Sequence, residues 1–284
     1  MLDKVFYYDR NGILRLTLNE WPYYTEPSDL KDWLWGYTEQ FGQLGSFRRA
    51  KQEWELPIGI AGDGLSYRDA LCNVFSADVL ANEPGRLVLR DWSLQCYIVQ
   101  ANYEYGFYNT ELDRKAIFRV RAIDSTWIRE VTRTYSGIPG GSGTNVDLWR
   151  DYMRDGTPPP GRGYDYGYNM LESHSATIEM EGNSGNGYRI TIYGPAIDPA
   201  VYINGHPIQV FIELDPGDRL LIVSNGGIKT ITLIKANGYT INAFNHRDKE
   251  HTPFLTLGNY AELSFGRLRF DFTSIERRSE PTWI

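Results

Sequence analysis

Through most of the second half of the chain, apolar and polar residues alternate with a period of two, the mark of strands that bury one face. Ala176, Ile178 and Met180 alternate with polar neighbours, and Tyr188, Ile190 and Ile192 repeat the pattern. Turn signals punctuate the strands. Val201 to Ile203 runs into Asn204-Gly205, Ile208 to Leu214 into Asp215-Pro216-Gly217-Asp218, and Leu220 to Val223 into Asn225-Gly226-Gly227. Glycine and asparagine accept positive φ and proline presets the first turn position, so each cluster predicts a reversal. With 228–234, 239–244, 260–265 and 268–275, roughly nine strands at turn intervals predict a β-sandwich of jelly-roll or galectin-like type. In the last of these, Leu268, Phe270 and Phe272 form one face and Arg267, Arg269 and Asp271 the other, a strand expected to close the sandwich.

The first half mixes periods. Residues 5–8 and 13–18 flank Asp9-Arg10-Asn11-Gly12, which predicts a hairpin turning on Asn-Gly. Tyr67, Ala70, Leu71, Val74 and Phe75 fall at helical spacing behind Ser66 as N-cap, a helix of about three turns. Residues 87–89, 94–105 and 115–123 read as strands, the last two joined as a long hairpin. Residues 133–170, with Gly137-Ile138-Pro139-Gly140-Gly141-Ser142-Gly143 and Pro158-Pro159-Pro160-Gly161, have linker composition. The expected domains are therefore 1–165, with a linker from about 133, and 166–284, an arrangement in keeping with ~100–200 residues per domain. The fold class is mainly β, an N-terminal sheet domain with one helix followed by a C-terminal sandwich.

Composition narrows the classes. The 284 residues are 42% hydrophobic, 14% aromatic and 23% charged, a globular balance tilted towards the aromatics that strands favour. No apolar run approaches the ~18 residues of a membrane span, and Met1-Leu2-Asp3-Lys4 enters a strand pattern without a signal-peptide core, so folding in the cytosol is expected. Cys72 and Cys96 are expected as reduced, packed thiols. A net charge of −7 disfavours nucleic-acid binding, which needs clustered Lys and Arg.

Candidate chemistry is thin. His174, His206, His246 and His251 lack metal-ligand spacing, the glycines of 137–143 lack the Lys-Ser/Thr of a phosphate loop, and no Gly-x-Ser-x-Gly elbow exists. Glu179 with Glu181 and Asp215 with Asp218 could supply paired acids, but a solvent-facing strand edge explains them more simply. The expectation is no catalytic residue, no metal and no cofactor. Carbohydrate binding is the alternative that a sandwich raises. Seven of the eight tryptophans precede the sandwich, however, and Asn245-His246-Arg247 lacks an accompanying tryptophan. Tyr164, Tyr166 and Tyr168 are expected to staple the linker to a surface. Beyond Pro281, which ends strand pairing, Trp283 and Ile284 form an apolar terminus expected to dock on the N-terminal domain or a neighbouring subunit.

An ordered set of landmarks carries a family likeness. It comprises Leu65 to Phe75, Pro84-Gly85-Arg86-Leu87, Trp92 and Cys96-Tyr97-Ile98, then Tyr164-Asp165-Tyr166-Gly167-Tyr168. It continues with Ile192-Tyr193-Gly194-Pro195, 199–205, Gly217-Asp218-Arg219-Leu220, Asn242-Ala243-Phe244, Phe254, Leu257-Gly258 and the ending 278–283. Over nearly its whole length the chain resembles the distal tail proteins of long, non-contractile-tailed phages and related prophages. The resemblance implies a non-enzymatic virion protein, made in the bacterial cytoplasm and located at the tail tip. Its N-terminal, belt-type domains would form a ring of six, for which back-to-back pairing in isolation is an open arrangement, stacked under the tail-tube protein with the sandwiches projecting outward. Partners implied are the tail-tube protein, the tail-associated hub protein and receptor-binding proteins, with DNA passing through the channel unbound and no membrane contact. The acidic balance fits that passage. The inserted carbohydrate-binding module of some relatives is not expected in 284 residues without a third run of strands.

Overall fold

A computed structural model describes residues 4–26, 28–32, 34–40, 43–49, 52–62, 64–104, 113–136, 174–182 and 185–280. The chain forms two compact units, residues 1–129 with 277–284, and residues 130–276.

In the first unit, seven antiparallel strands follow the spatial order β2-β1-β7-β8-β9-β6-β3. They are β1 (Val5–Tyr8), β2 (Arg15–Thr17), β3 (Tyr23–Thr25), β6 (Glu53–Ala61), β7 (Gly85–Leu89), β8 (Trp92–Glu104) and β9 (Asp113–Ala122). The thirteen-residue β8 is central, with Cys96 opposite Gly85 of β7 on one side and Ala122 of β9 on the other. Alternation sends Tyr7, Leu87, Leu94, Cys96, Phe118, Val120, Trp54, Leu56 and Ile58 inward, all of them essentially inaccessible. Burying each large apolar side chain is worth about 1.5–3 kcal/mol, and this shared face is the main support of the unit. A separate hairpin of β4 (Trp35–Gln40) and β5 (Gln43–Arg49) pairs with no other strand among the described residues.

The helix α1 (Gly64–Ala81) differs from its sequence expectation, starting two residues before Ser66 and running six past Phe75. Leu71 and Phe75 enter the core, and the next position on that face is Asp78, equally buried. A carboxylate on the apolar stripe hides the helical period, yet here it has partners. It accepts the Tyr7 hydroxyl at 2.7 Å and the Arg10 amide at 3.2 Å, tying the helix to β1. Asn82, at φ 55°, ends the helix in a Schellman motif, the Glu83 amide donating to the Asp78 carbonyl and the Asn82 amide to that of Val79. The first hairpin forms as expected, but only Gly12 of its turn has positive φ. The loop is held by the Asp9 carboxylate, which accepts the amides of Ile13 and Leu14.

The second unit is a two-sheet sandwich. One sheet contains β12 (Gly187–Tyr193), β17 (Arg219–Asn225), β18 (Ile228–Ile234), β19 (Thr240–Asn242), β21 (Arg269–Arg278) and β10 (Trp127–Ser136), in the order β19-β18-β17-β12-β21-β10. The other contains β11 (His174–Glu179), β14 (Ala200–Ile203), β15 (His206–Gln209) and β20 (Tyr260–Phe265), in the order β11-β20-β14-β15. Tyr188, Ile190, Ile192, Leu220, Ile222, Phe270 and Phe272 of the first meet Ile178, Val201, Ile203, Ala261 and Leu263 of the second in one apolar core. A ribbon of β13 (Ala196–Ile197) and β16 (Glu213–Leu214) flanks them. Two expectations are corrected. β21 lies between β12 and β10, an interior strand instead of the closing one. Residues 208–214 form two strands, because Val210 leaves the β14 ladder to bridge Arg247 and the chain turns there, the Ile212 amide donating back to the Val210 carbonyl. Asn204 and Gly205, with φ of 52° and 77°, make the turn their sequence predicts.

Candidate assembly surfaces

The polar groups that invited chemistry are engaged in holding turns. Among the described residues no group of three or more His, Cys, Asp and Glu side chains could hold a metal. The His206 and His251 rings lie 5.8 Å apart edge-on, but His206 Nε2 contacts the Thr252 carbonyl and His251 Nδ1 meets Asp248 at 2.9 Å. That contact holds the Asp248 carboxyl below its usual range. Asp218 and Asp215 share Lys235 at 2.7 and 3.1 Å, and Asp218 also accepts the amides of Asp215 and Ala236. The hydrogen bond from Lys235 depresses the Asp218 pKa and raises that of Lys235, a locked pair of turns with no free acid. Glu179 and Glu181 are exposed on either side of the buried Met180. Arg247 donates to the Phe244 carbonyl and lies 4.2 Å over its ring, against which Phe254 also stacks at 5.5 Å. A groove of about 280 Å³ between β18 and β19 includes Phe244, but that ring is already covered and offers a sugar no clear platform. Cys72 and Cys96 are free thiols, and burial pushes the Cys96 thiol up to about 12. Tyr164, Tyr166, Tyr168, Trp283 and Ile284 lie outside the described residues, as does most of 133–170.

What the structure brings together instead are outward sheet faces rich in arginine and aromatic residues, the composition enriched at protein interfaces. In the first unit, register places Arg15, Tyr8 and Arg86 side by side across β2, β1 and β7, with Phe6 and Val88 in the next row. Arg86 lies 4.9 Å over Tyr8, and Arg15 3.8 Å over Phe6. In the second unit, Arg219, Tyr193 and Arg269 form the same row across β17, β12 and β21. The β4–β5 hairpin adds Tyr37 and Leu44, and Leu34 just before it, each close to 60% exposed. Sequence reading missed these rows because each draws on three strands. The signal was present in the first hairpin, where an Asp9–Leu14 loop sets Tyr8 opposite Arg15.

No protein-family model matches the chain, and no curated protein sequence does. Solved structures do. The crystal structure of the SPP1 Dit protein, a paradigm of the hub adsorption apparatus of phages infecting Gram-positive bacteria, aligns with a TM-score of 0.59 at 10% identity, covering 98% of this chain and 100% of that one. The fold is Dit-like. Chains of the phage P2 baseplate in its activated conformation agree, with TM-scores of 0.58 (with Ca) and 0.56 (with Sr) at 13% and 11% identity. Both comparisons cover 99% of this chain and all of the other. The likeness therefore extends over both units of this mainly β chain.

Proposed function

We propose that the chain is a structural protein of a phage tail tip, a distal tail protein that forms a ring at the end of the tail tube and joins it to the host-attachment apparatus. The observation that carries this reading is the end-to-end match to SPP1 Dit and to the P2 baseplate chain. A match confined to the sandwich would have left many functions open, since sandwiches host unrelated ones. In this reading the N-terminal unit forms a six-membered ring against tail-tube protein on one side and the hub protein on the other. The C-terminal sandwich faces outward towards receptor-binding proteins. The exposed β4–β5 hairpin and the Arg15–Tyr8–Arg86 face are the surfaces assigned to self-association, because apolar side chains such as Leu44 at 60% exposure gain by burial against a neighbour. The net charge of −7 lets duplex DNA pass without being held.

Electron microscopy and light scattering of the purified full chain test the proposal. Closed rings of six copies are expected, with a Leu44→Asp substitution shifting the population towards monomer. A protein that stays monomeric at high concentration with its neighbouring tail proteins present would overturn it.

A further inference from the structure

The solvent face of the large sheet in the second unit carries two arginines that pair with no acid among the described residues, in a chain with seven more acids than bases. Arg219 and Arg269 are exposed and stand on either side of Tyr193 in register. Among the described residues neither has an ion-pair partner. The acids nearby are committed elsewhere. Asp271 accepts the Tyr193 hydroxyl at 2.6 Å and the Thr134 hydroxyl at 2.7 Å, and Glu130 pairs with Arg189 at 2.7 Å. The bond to Asp271 raises the Tyr193 pKa and uses its hydroxyl proton, and although the Asp271 carboxylate shares this face, it lies within ion-pair distance of neither guanidinium among the described residues. Arg269 already lies 5.3 Å over the Tyr193 ring. The two flanking strands are about 10 Å apart, two inter-strand spacings, a gap that two arginine side chains can close over a single carboxylate.

We infer that this face is a docking surface for an acidic segment of a protein partner, with carboxylates received between Arg219 and Arg269 over Tyr193. The rest of the face favours a polypeptide over a polyanionic polymer. Ile234 beside Arg219, Thr191, Leu221 and Thr232 in the next row and Val223 beyond them are half-buried β-branched or aliphatic side chains, which a protein partner covers and a phosphodiester chain does not use. The net charge of −7 also repels a long polyanion at range, whereas a local pair of guanidinium forks suits one or two carboxylates delivered with apolar neighbours. The tail-tip reading supplies only the setting, a sandwich that holds other tail proteins; the charge argument stands apart from ring formation.

The test uses the full-length protein and a fluorescent heptapeptide of alternating glutamate and valine, followed by anisotropy at low ionic strength. Three controls accompany it: the same peptide with glutamine for glutamate, poly(glycerol phosphate), and Arg189→Gln, whose guanidinium is already paired. The glutamate peptide is expected to bind. Arg219→Gln with Arg269→Gln should weaken it at least about tenfold, the scale of losing charge-assisted bonds, while Arg189→Gln changes it less than about twofold. No binding, equal binding of the glutamine peptide, or indifference to the double substitution would overturn the inference, as would tighter binding of poly(glycerol phosphate). Light scattering on the same samples separates the two ideas. Monomeric wild-type protein that still binds the glutamate peptide would count against the ring and not against this surface.

Discussion

Removing a single oxygen tests how the helix is held to the sheet. Tyr7 is fully buried on β1, meets Phe75 edge-on at 4.8 Å, and donates to Asp78, whose side chain is itself inaccessible. Tyr7→Phe keeps the ring and its contacts and deletes only the donor. Asp78 would then retain the Arg10 amide at 3.2 Å and the Arg10 guanidinium at 4.0 Å, leaving its other oxygen buried without a partner. A hydrogen bond to a charged group is worth about 1.5–3 kcal/mol, and the nearby guanidinium places the loss near the middle, about 2 kcal/mol. For a unit of this size that lowers the thermal midpoint by about 4–8 °C. Urea unfolding followed by tryptophan fluorescence measures it. The companion Tyr7→Phe with Asp78→Leu removes the buried charge together with its donor, and should recover part of the loss through a coupling of about 1 kcal/mol or more. Burial first, and then the bond to Asp78, raise the Tyr7 pKa far above its ordinary value, so this phenol should resist ionisation until the unit unfolds. A Tyr7→Phe protein as stable as wild type, with no coupling to Asp78, would refute the anchor.

Three further outcomes are expected. Gly85→Ala would place a Cβ 2.1 Å from the Tyr7 hydroxyl and 2.8 Å from the Tyr8 carbonyl, and should cost about 2–3 kcal/mol in the same urea experiment. Asp218 has a folded pKa below its unfolded one because Lys235 donates to it, so its contribution is complete above the ordinary carboxylate pKa and is lost as pH falls through the depressed value. Asp218→Asn should therefore lower the midpoint near neutrality and flatten its fall in acid, read from thermal melts across that range. Cys96, inaccessible and shifted up to about 12, should react with a disulfide reagent only on unfolding, whereas the partly exposed Cys72 reacts in the folded protein.

The sandwich was legible because its strands obey one rule at a time. Tyr188, Ile190 and Ile192 alternate without interruption, and Asn204-Gly205 and Gly226-Gly227 turn where such residues turn. Much of the first unit was not legible, for identifiable reasons. In β6 Trp54, Leu56, Ile58 and Ile60 alternate, but Pro57 and Gly59 stand at the intervening positions, residues that argue against a strand. Pro57 nevertheless stays in the ladder opposite Ile117, and its carbonyl accepts the Glu26 amide. β10 presents arginine, glutamate and threonine, and its place beside β21 rests on contacts distant in sequence, such as Thr132 with Thr273 at 2.9 Å. The far end of α1 was hidden by Asp78, whose acceptability depends on a tyrosine 71 residues away. Local pattern recovers strands whose burial is decided locally and loses those decided by a distant partner.

The two arginine rows answer to a different constraint from the inward positions of the same sheets. An inward position accepts any apolar residue of suitable size, so the core of each unit constrains residue type only loosely. Outward positions carry no such requirement, yet both units place an arginine on each side of a tyrosine in strict cross-strand register, with one guanidinium laid towards the ring. Stacking costs the arginine little, since its planar head sheds water readily, and it removes side-chain freedom that docking would otherwise have to remove. A row built this way is partly ordered before a partner arrives. Its position follows from strand register, so a sheet that keeps its turns keeps the geometry of the row.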